Sequence, residues 1–191
     1  VETGCSHRMW LEYFPNATIY GFDIFNEEDR SGYCDIFREK MKDNPYLNRS
    51  VLFKGNQQDV NDLNRFVTLH GKDFDLIIDD GGHTMRQMQT TLTVLLDAVK
   101  SGGQYVIEDL HACSGQWKSL YGFEVIEPGD TLTTDIINDI ETNYNNIQKT
   151  SYINEEQMKY IRDNIESCKL ETGNTSYKDY IWPTLLSFME K

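Results

Sequence analysis

The chain has little of what would divide, cross-link or anchor it. Only four prolines occur in 191 residues, and no Gly/Ser-rich or low-complexity tract interrupts the chain, so no linker splits it. The four cysteines, Cys5, Cys34, Cys113 and Cys168, lack the close pairs that zinc sites use. A domain of this size can bury a core without disulfides, which makes free thiols in a reducing, cytoplasmic setting the expectation. No run approaches the roughly 20 apolar residues of a membrane span, and no signal-like start is visible. Positive charge is scarce too. The formal net charge of −13 argues against binding nucleic-acid phosphates or an anionic membrane, and favours a neutral or cationic ligand.

What is present is a β-α alternation. The opening VETG reads as the end of a strand already under way, as in a piece of a longer polypeptide. A helix is predicted near His7 to Phe14, with Trp10, Tyr13 and Phe14 as core, then a strand at Thr18 to Asp23 and a helix at Cys34 to Lys42. A strand at Ser50 to Lys54 leads to a helix over Val60 to Leu69, with Asp59 as its N-cap. Next come a strand at Phe74 to Asp79 and a helix at Thr84 to Val99 carrying Met85, Met88, Leu92, Leu95, Leu96 and Val99 at helical spacing. Gly102-Gly103 is expected to end that helix before a strand at Gln104 to Glu108. Such repetition implies a Rossmann-like, doubly wound, mostly parallel α/β sheet over residues 1–191 as a single domain.

Beyond Leu110 the pattern changes. Residues Cys113 to Asp130 read as a long loop over the crevice, with Trp117, Tyr121 and Phe123 able to stack on a ring. Helices follow at Thr131 to Tyr144 and Glu155 to Glu166, the second opened by an Asn154/Gln157 capping box. The end reads as an antiparallel hairpin, Ser167 to Glu171 and Ile181 to Met189, turning at Gly173-Asn174-Thr175-Ser176.

Two segments concentrate chemistry: FDLIIDDGGH (Phe74 to His83) and GGQYVIEDLH (Gly102 to His111). As parallel neighbours, their carboxyl ends would gather Asp79, Asp80, Glu108 and Asp109, with His83 and His111 nearby, where open α/β sheets hold ligands. Carboxylates so crowded need a cation, a shared proton or spread-out loops. A divalent ion on Asp80, Glu108 and Asp109 is favoured over helix caps or pairs with Arg86 or Lys118, because acids from adjacent strands converge and carboxylate oxygens suit Mg²⁺, Mn²⁺ or Ca²⁺. Histidine titrates near neutrality, which makes His83 the leading general base and His111 the second candidate.

Gly4, in the turn Glu2-Thr3-Gly4-Cys5-Ser6, could let backbone approach a ligand, and Asp23 could take both hydroxyls of a ribose; a tight turn and a helix cap are the plain alternatives. Asn56, Gln57, Gln58 and Asp59 could meet an adenine, though a polar loop capping the next helix is the stronger reading from residues alone.

Through RMWLEYFPNATIYGFDIF, GNQQDVNDL, FDLIIDDGGH and SGGQYVIEDLH, about Val1 to His111, the chain resembles class I S-adenosylmethionine-dependent methyltransferases. More narrowly it is similar to the metal-dependent sugar O-methyltransferases of macrolide tailoring (mycinamicin and macrocin type), and to a chlorovirus rhamnose O-methyltransferase domain. The resemblance implies S-adenosyl-L-methionine as cofactor, with Glu2, Gly4 and Ser6 at its methionine end, Asp23 on its ribose, Gln57 and Asp59 near the adenine, and Asp79 also on the cofactor side. It implies Mg²⁺ (or Mn²⁺) on Asp80, Glu108 and Asp109, with Asp80 and His83 as the catalytic pair. The chain departs from those relatives at Asn56, where they carry an acid, and at Gly82, where they carry serine. The implied partner is a sugar or glycan acceptor such as a rhamnoside, with fusion to glycosyltransferase domains and a place in the cytoplasm, the host's for a viral protein. A catechol-like acceptor would use the same metal geometry, and a non-catalytic nucleoside-binding module would bind cofactor without turnover.

Overall fold

The computed structural model describes residues 4–25, 33–110, 130–177 and 180–191, with side chains described except at 33–35, 40 and 172–188. The chain forms two compact units, Val1–Asp62 and Leu63–Lys191.

In the first unit, helix α1 (Cys5–Tyr13) leads to strand β1 (Ile19–Asp23), helix α2 (Tyr33–Met41), a 3-10 turn at Leu47–Arg49 and strand β2 (Ser50–Lys54). β1 and β2 pair in parallel, Asp23 opposite Lys54, so both strands end at one edge. Leu11, Phe37 and Met41 form the core, with Ile19 and Phe25 packed against it. α1 buries His7 and Leu11, one turn apart, and leaves Tyr13 70% exposed, so the expectation that Tyr13 is core is corrected. Trp10 and Phe14 stack at 5.6 Å between centroids, only partly buried. Arg49 closes the C-terminus of α1: its guanidinium donates to the carbonyls of Leu11, Phe14 and Ala17 at 2.6–2.8 Å, occupying acceptors that a helix end leaves open.

Helix α3 (Val60–His70) crosses the boundary between the units. Asp59 caps it as expected, its Oδ1 accepting the Asn61 N–H at 2.8 Å. The second unit continues with β3 (Phe74–Asp79), α4 (Met85–Leu95), β4 (Val99–Ile107), α5 (Thr133–Glu141), α6 (Glu155–Asn164) and the strands β5 (Ser167–Tyr177) and β6 (Tyr180–Glu190). The sheet order is β3-β4-β6-β5, with β3 and β4 parallel and β6 antiparallel to both neighbours. Met88, Leu92, Tyr105, Ile107, Ile136 and Ile161 are nearly or fully inaccessible in its core. Asn154 and Gln157 form the expected capping box on α6.

Several boundaries differ from the sequence reading. α4 stops at Leu95, and Val99 belongs to β4, opposite Phe74. Gly102-Gly103 lies inside β4 rather than before it, because the strand bulges: Phe74 faces Val99, but Leu76 already faces Gln104. Glycine is required there, since Gly102 has φ 72° and a Cβ on Gly103 would come within 3.0 Å of the Asp75 and Lys100 carbonyls. At the other end, residues 173–176 run within β5, and pairing extends to Tyr177 opposite Tyr180. The hairpin is therefore longer than expected, and its turn lies beyond Gly173–Ser176. The expected loop with Trp117, Lys118, Tyr121 and Phe123, together with His111 and Cys113, lies outside the described residues, as does Glu2. Among the described residues no helix is long and apolar enough to cross a membrane, and Cys5 and Cys168 are not disulfide-bonded.

Candidate metal centre

Parallel pairing sets Asp79 opposite Ile107, and the Glu108 N–H donates to the Asp79 carbonyl at 3.0 Å. The residues leaving each strand, Asp80 and Glu108-Asp109, are thereby brought side by side at the carboxyl edge. Successive side chains point to opposite faces, which separates the two aspartates of the DD pair. Asp79 is buried and accepts a 3.5 Å bond from the Tyr105 hydroxyl, whereas Asp80 is exposed. Burial, and then the charge of Asp79, drives the Tyr105 hydroxyl well above its ordinary pKa.

Gly81-Gly82 turns the chain towards α4 and presents His83, with Nε2 3.8 Å from Asp109 Oδ2. Asp109 has φ 52°, a left-handed conformation uncommon outside glycine and tolerated by aspartate; such strain persists where the surroundings hold it. Asp80, His83 and Asp109 each offer one donor atom, all within 4.8 Å of one another. A divalent ion with ligands at roughly 2.0–2.6 Å separates its donors by about 3–5 Å, so the trio fits a single ion. Glu108 flanks it. Burial raises the Glu108 carboxyl pKa, and the charges of Asp80 and Asp109 raise it further. Negative potential thus accumulates at this edge, which is what a dication relieves. Three carboxylates with one imidazole suit a hard or borderline ion.

The turn is fixed by a feature that spacing alone could have revealed, the T-x-x-Q signature at Thr84 and Gln87. Thr84 Oγ1 accepts the Gln87 N–H at 3.2 Å, while Gln87 Oε1 accepts the Thr84 N–H at 3.2 Å, a reciprocal capping box. No sequence signal announced the Tyr105–Asp79 contact or the left-handed Asp109.

The residues expected at the cofactor lie mostly in the first unit. Gly4 has φ 77°, and a Cβ there would meet the Phe37 ring at 2.5 Å, so both backbone and packing demand glycine. Ser6 is exposed in the first turn of α1. Asp23 ends β1, its Oδ1 accepting the Phe25 N–H at 2.9 Å, and its carbonyl accepts the Gly55 N–H at 2.9 Å. That bond brings Asp23 beside the Asn56–Asp59 segment, where Asn56 Oδ1 takes the Gln58 N–H, Asp62 takes the Asn56 N–H and Gln57 is half-buried. Asp59 is exposed and caps α3, the structural role weighed against an adenine contact.

Helical crossovers between parallel strands, acids at the carboxyl edge and a closing antiparallel hairpin define the Rossmann-like fold of class I methyltransferases. The MycE methyltransferase of the mycinamycin biosynthetic pathway, solved with Mg, SAH and mycinamycin VI, superposes with a TM-score of 0.60 at 25% identity, over 98% of this chain and 40% of that one. In sequence, the chain is 38% identical over 109 residues to the 8-demethyl-8-(2-methoxy-alpha-L-rhamnosyl)-tetracenomycin-C 3'-O-methyltransferase of Streptomyces olivaceus, covering 57% of this chain and 24% of that protein. It is 35% identical over 107 residues to the mycinamicin VI 2''-O-methyltransferase of Micromonospora griseorubida, covering 56% of this chain and 23% of that protein. The chain is thus similar to sugar O-methyltransferases of macrolide and tetracenomycin tailoring, and it spans about a quarter of the length of these curated relatives. No family model matches it.

Proposed function

We propose that residues 1–191 act as one S-adenosylmethionine-dependent, divalent-metal-dependent O-methyltransferase domain that transfers a methyl group to a sugar hydroxyl, a deoxysugar such as rhamnose in a glycan or glycoside. The observation that carries this reading is the Asp80–His83–Asp109 cluster at the carboxyl edge of β3 and β4. The likeness to a methyltransferase crystallised with Mg and SAH supports the same cofactors here, and the rhamnosyl group in the name of the tetracenomycin enzyme supports the acceptor.

In this reading Asp80 and Asp109 hold the ion with Glu108 beside them. The ion would supply charge stabilisation for adjacent sugar oxygens, lowering the cost of removing a hydroxyl proton. His83, standing beside the ion and not bound to it in this reading, would accept that proton at Nε2, and Asp109 at 3.8 Å would stabilise the imidazolium that results. The acceptor oxygen bonds to the sulfonium methyl as the carbon–sulfur bond breaks, leaving a neutral thioether. Glu2, Gly4 and Ser6 would line the methionine end of the cofactor, Asp23 its ribose and Gln57 with Asp59 its adenine. Asp79, held against Tyr105, would stand on the cofactor side. An acidic chain suits a cationic donor and releases the neutral product more readily. Orientation supplies much of the rate, because methyl transfer requires a short collinear approach.

Turnover of S-adenosylmethionine with a rhamnoside, with and without EDTA, tests the proposal. Transfer to the sugar that stops on chelation and returns with Mg²⁺ is the expected result; activity indifferent to EDTA removes the metal role, and transfer only to catechols moves the acceptor.

A further inference from the structure

We propose that Gln87 is a positioning residue for the Asp80–His83–Asp109 cluster, and that position 82 is glycine because the Gln87 side chain fills the space a Cβ would need. A Cβ built on Gly82 would lie 2.1–2.2 Å from the Gln87 carboxamide atoms, far inside van der Waals contact. Gly82 has no positive φ, unlike Gly4, Gly71 and Gly102, so it is the crowding by Gln87 and not a left-handed turn that points to glycine here.

Gln87 cannot yield freely. Its Oε1 accepts from both the N–H and the hydroxyl of Thr84, at 3.2 and 2.9 Å, and its own N–H donates to Thr84 Oγ1 at 3.2 Å. Behind it α4 is anchored by Met85 and Met88, both buried. The carboxamide therefore clamps the Asp80–Thr84 turn from two directions, packing on Gly82 and bonding Thr84. His83 sits between these two points of attachment and Asp80 just before them. A side chain outside the cluster thus sets where the Asp80 carboxylate and the His83 imidazole stand. Groups that orient metal ligands without binding the metal commonly change affinity by roughly 10–100-fold.

This inference rests on the proposed metal site, and the test separates the two. Mn²⁺ affinity of the cofactor-free chain is measured by electron paramagnetic resonance, with the thermal midpoint recorded for each variant. Gln87→Ala and Thr84→Val should each weaken Mn²⁺ by about 10-fold or more, whereas Thr84→Ser, which keeps the hydroxyl, retains affinity. Gly82→Ala should weaken Mn²⁺ in the parent but cost nothing further in a Gln87→Ala background, where the added methyl finds room. Ile161→Ala, a core truncation in α6, controls for destabilisation and should lower the midpoint without changing Mn²⁺ affinity. Parent-like affinity in Gln87→Ala, or an equal penalty for Gly82→Ala in both backgrounds, overturns the positioning role alone. A parent chain that binds no Mn²⁺ overturns the metal reading and the positioning role with it.

Discussion

Replacing Asp109 by Asn separates the charge at the proposed metal centre from its backbone. Asparagine tolerates the left-handed φ of 52° found at this position, so the turn is retained while one negative charge is removed. Two unit charges 4 Å apart interact by about 1 kcal/mol at the dielectric of water. The Asp109 side chain is 40% exposed, so the high-dielectric end of the range applies. A dication bound at roughly 2.0–2.6 Å is closer and doubly charged, so the loss is about 3–4 kcal/mol, or roughly 10²–10³-fold in affinity. The apo protein should respond in the opposite sense. Like charges on Asp80, Glu108 and Asp109 repel, and burial together with those neighbours already raises the Glu108 pKa. Removing one charge should leave apo stability unchanged or raise it by up to about 1 kcal/mol. Calorimetric titration with Mn²⁺, beside urea unfolding in EDTA, reads both effects. Undiminished affinity, or a large loss of apo stability, would refute the electrostatic account of this edge.

Further outcomes follow from other residues. His83→Ala should lower the rate of methyl transfer by roughly 10²–10⁴-fold while S-adenosylmethionine still binds, checked by single-turnover kinetics and calorimetry. Asp139 is buried, accepts the N–H groups of Asn146 and Ile147, and pairs with the half-buried Arg162 at 2.7 Å; Asp139→Ala should cost about 2–4 kcal/mol in urea unfolding because it removes the acceptor of two N–H groups and of the guanidinium. His7 is buried against Ser50, 2.7 Å from Nε2 to the hydroxyl, and burial pushes its pKa down to about 4. Below pH 6.5 the unfolded chain takes up a proton that the folded one refuses. This stability is therefore fully present above pH 6.5 and is lost as pH falls towards 4, by about 2 kcal/mol at pH 5. Urea midpoints at pH 7.5 and 5 should show that loss in the parent and not in His7→Asn.

The α/β alternation was legible in residue order. Apolar runs such as FDLIID and SVLFK became β3 and β2 at the expected bounds, because a short, dense stretch of apolar and β-branched side chains favours a strand whatever surrounds it. The acids at the strand ends were legible for the same reason: parallel neighbours must finish at one edge. Glycine misled at Gly102-Gly103. The same residues that end a helix also permit a bulge, and only the pairing of β4 with both β3 and β6 decided between them.

Sequence by itself determined which elements form and which carboxylates reach the shared edge, since hydrophobic periodicity and strand direction are local properties. Tertiary structure alone decided how those acids divide: Asp79 turns inward to Tyr105, Asp80 outward to His83 and Asp109, and Glu108 stands beside them. That division depends on strand register, on the left-handed backbone at Asp109 and on the clamp of Gln87 over Gly82, all of which arise from contacts between segments distant along the chain or folded back on themselves.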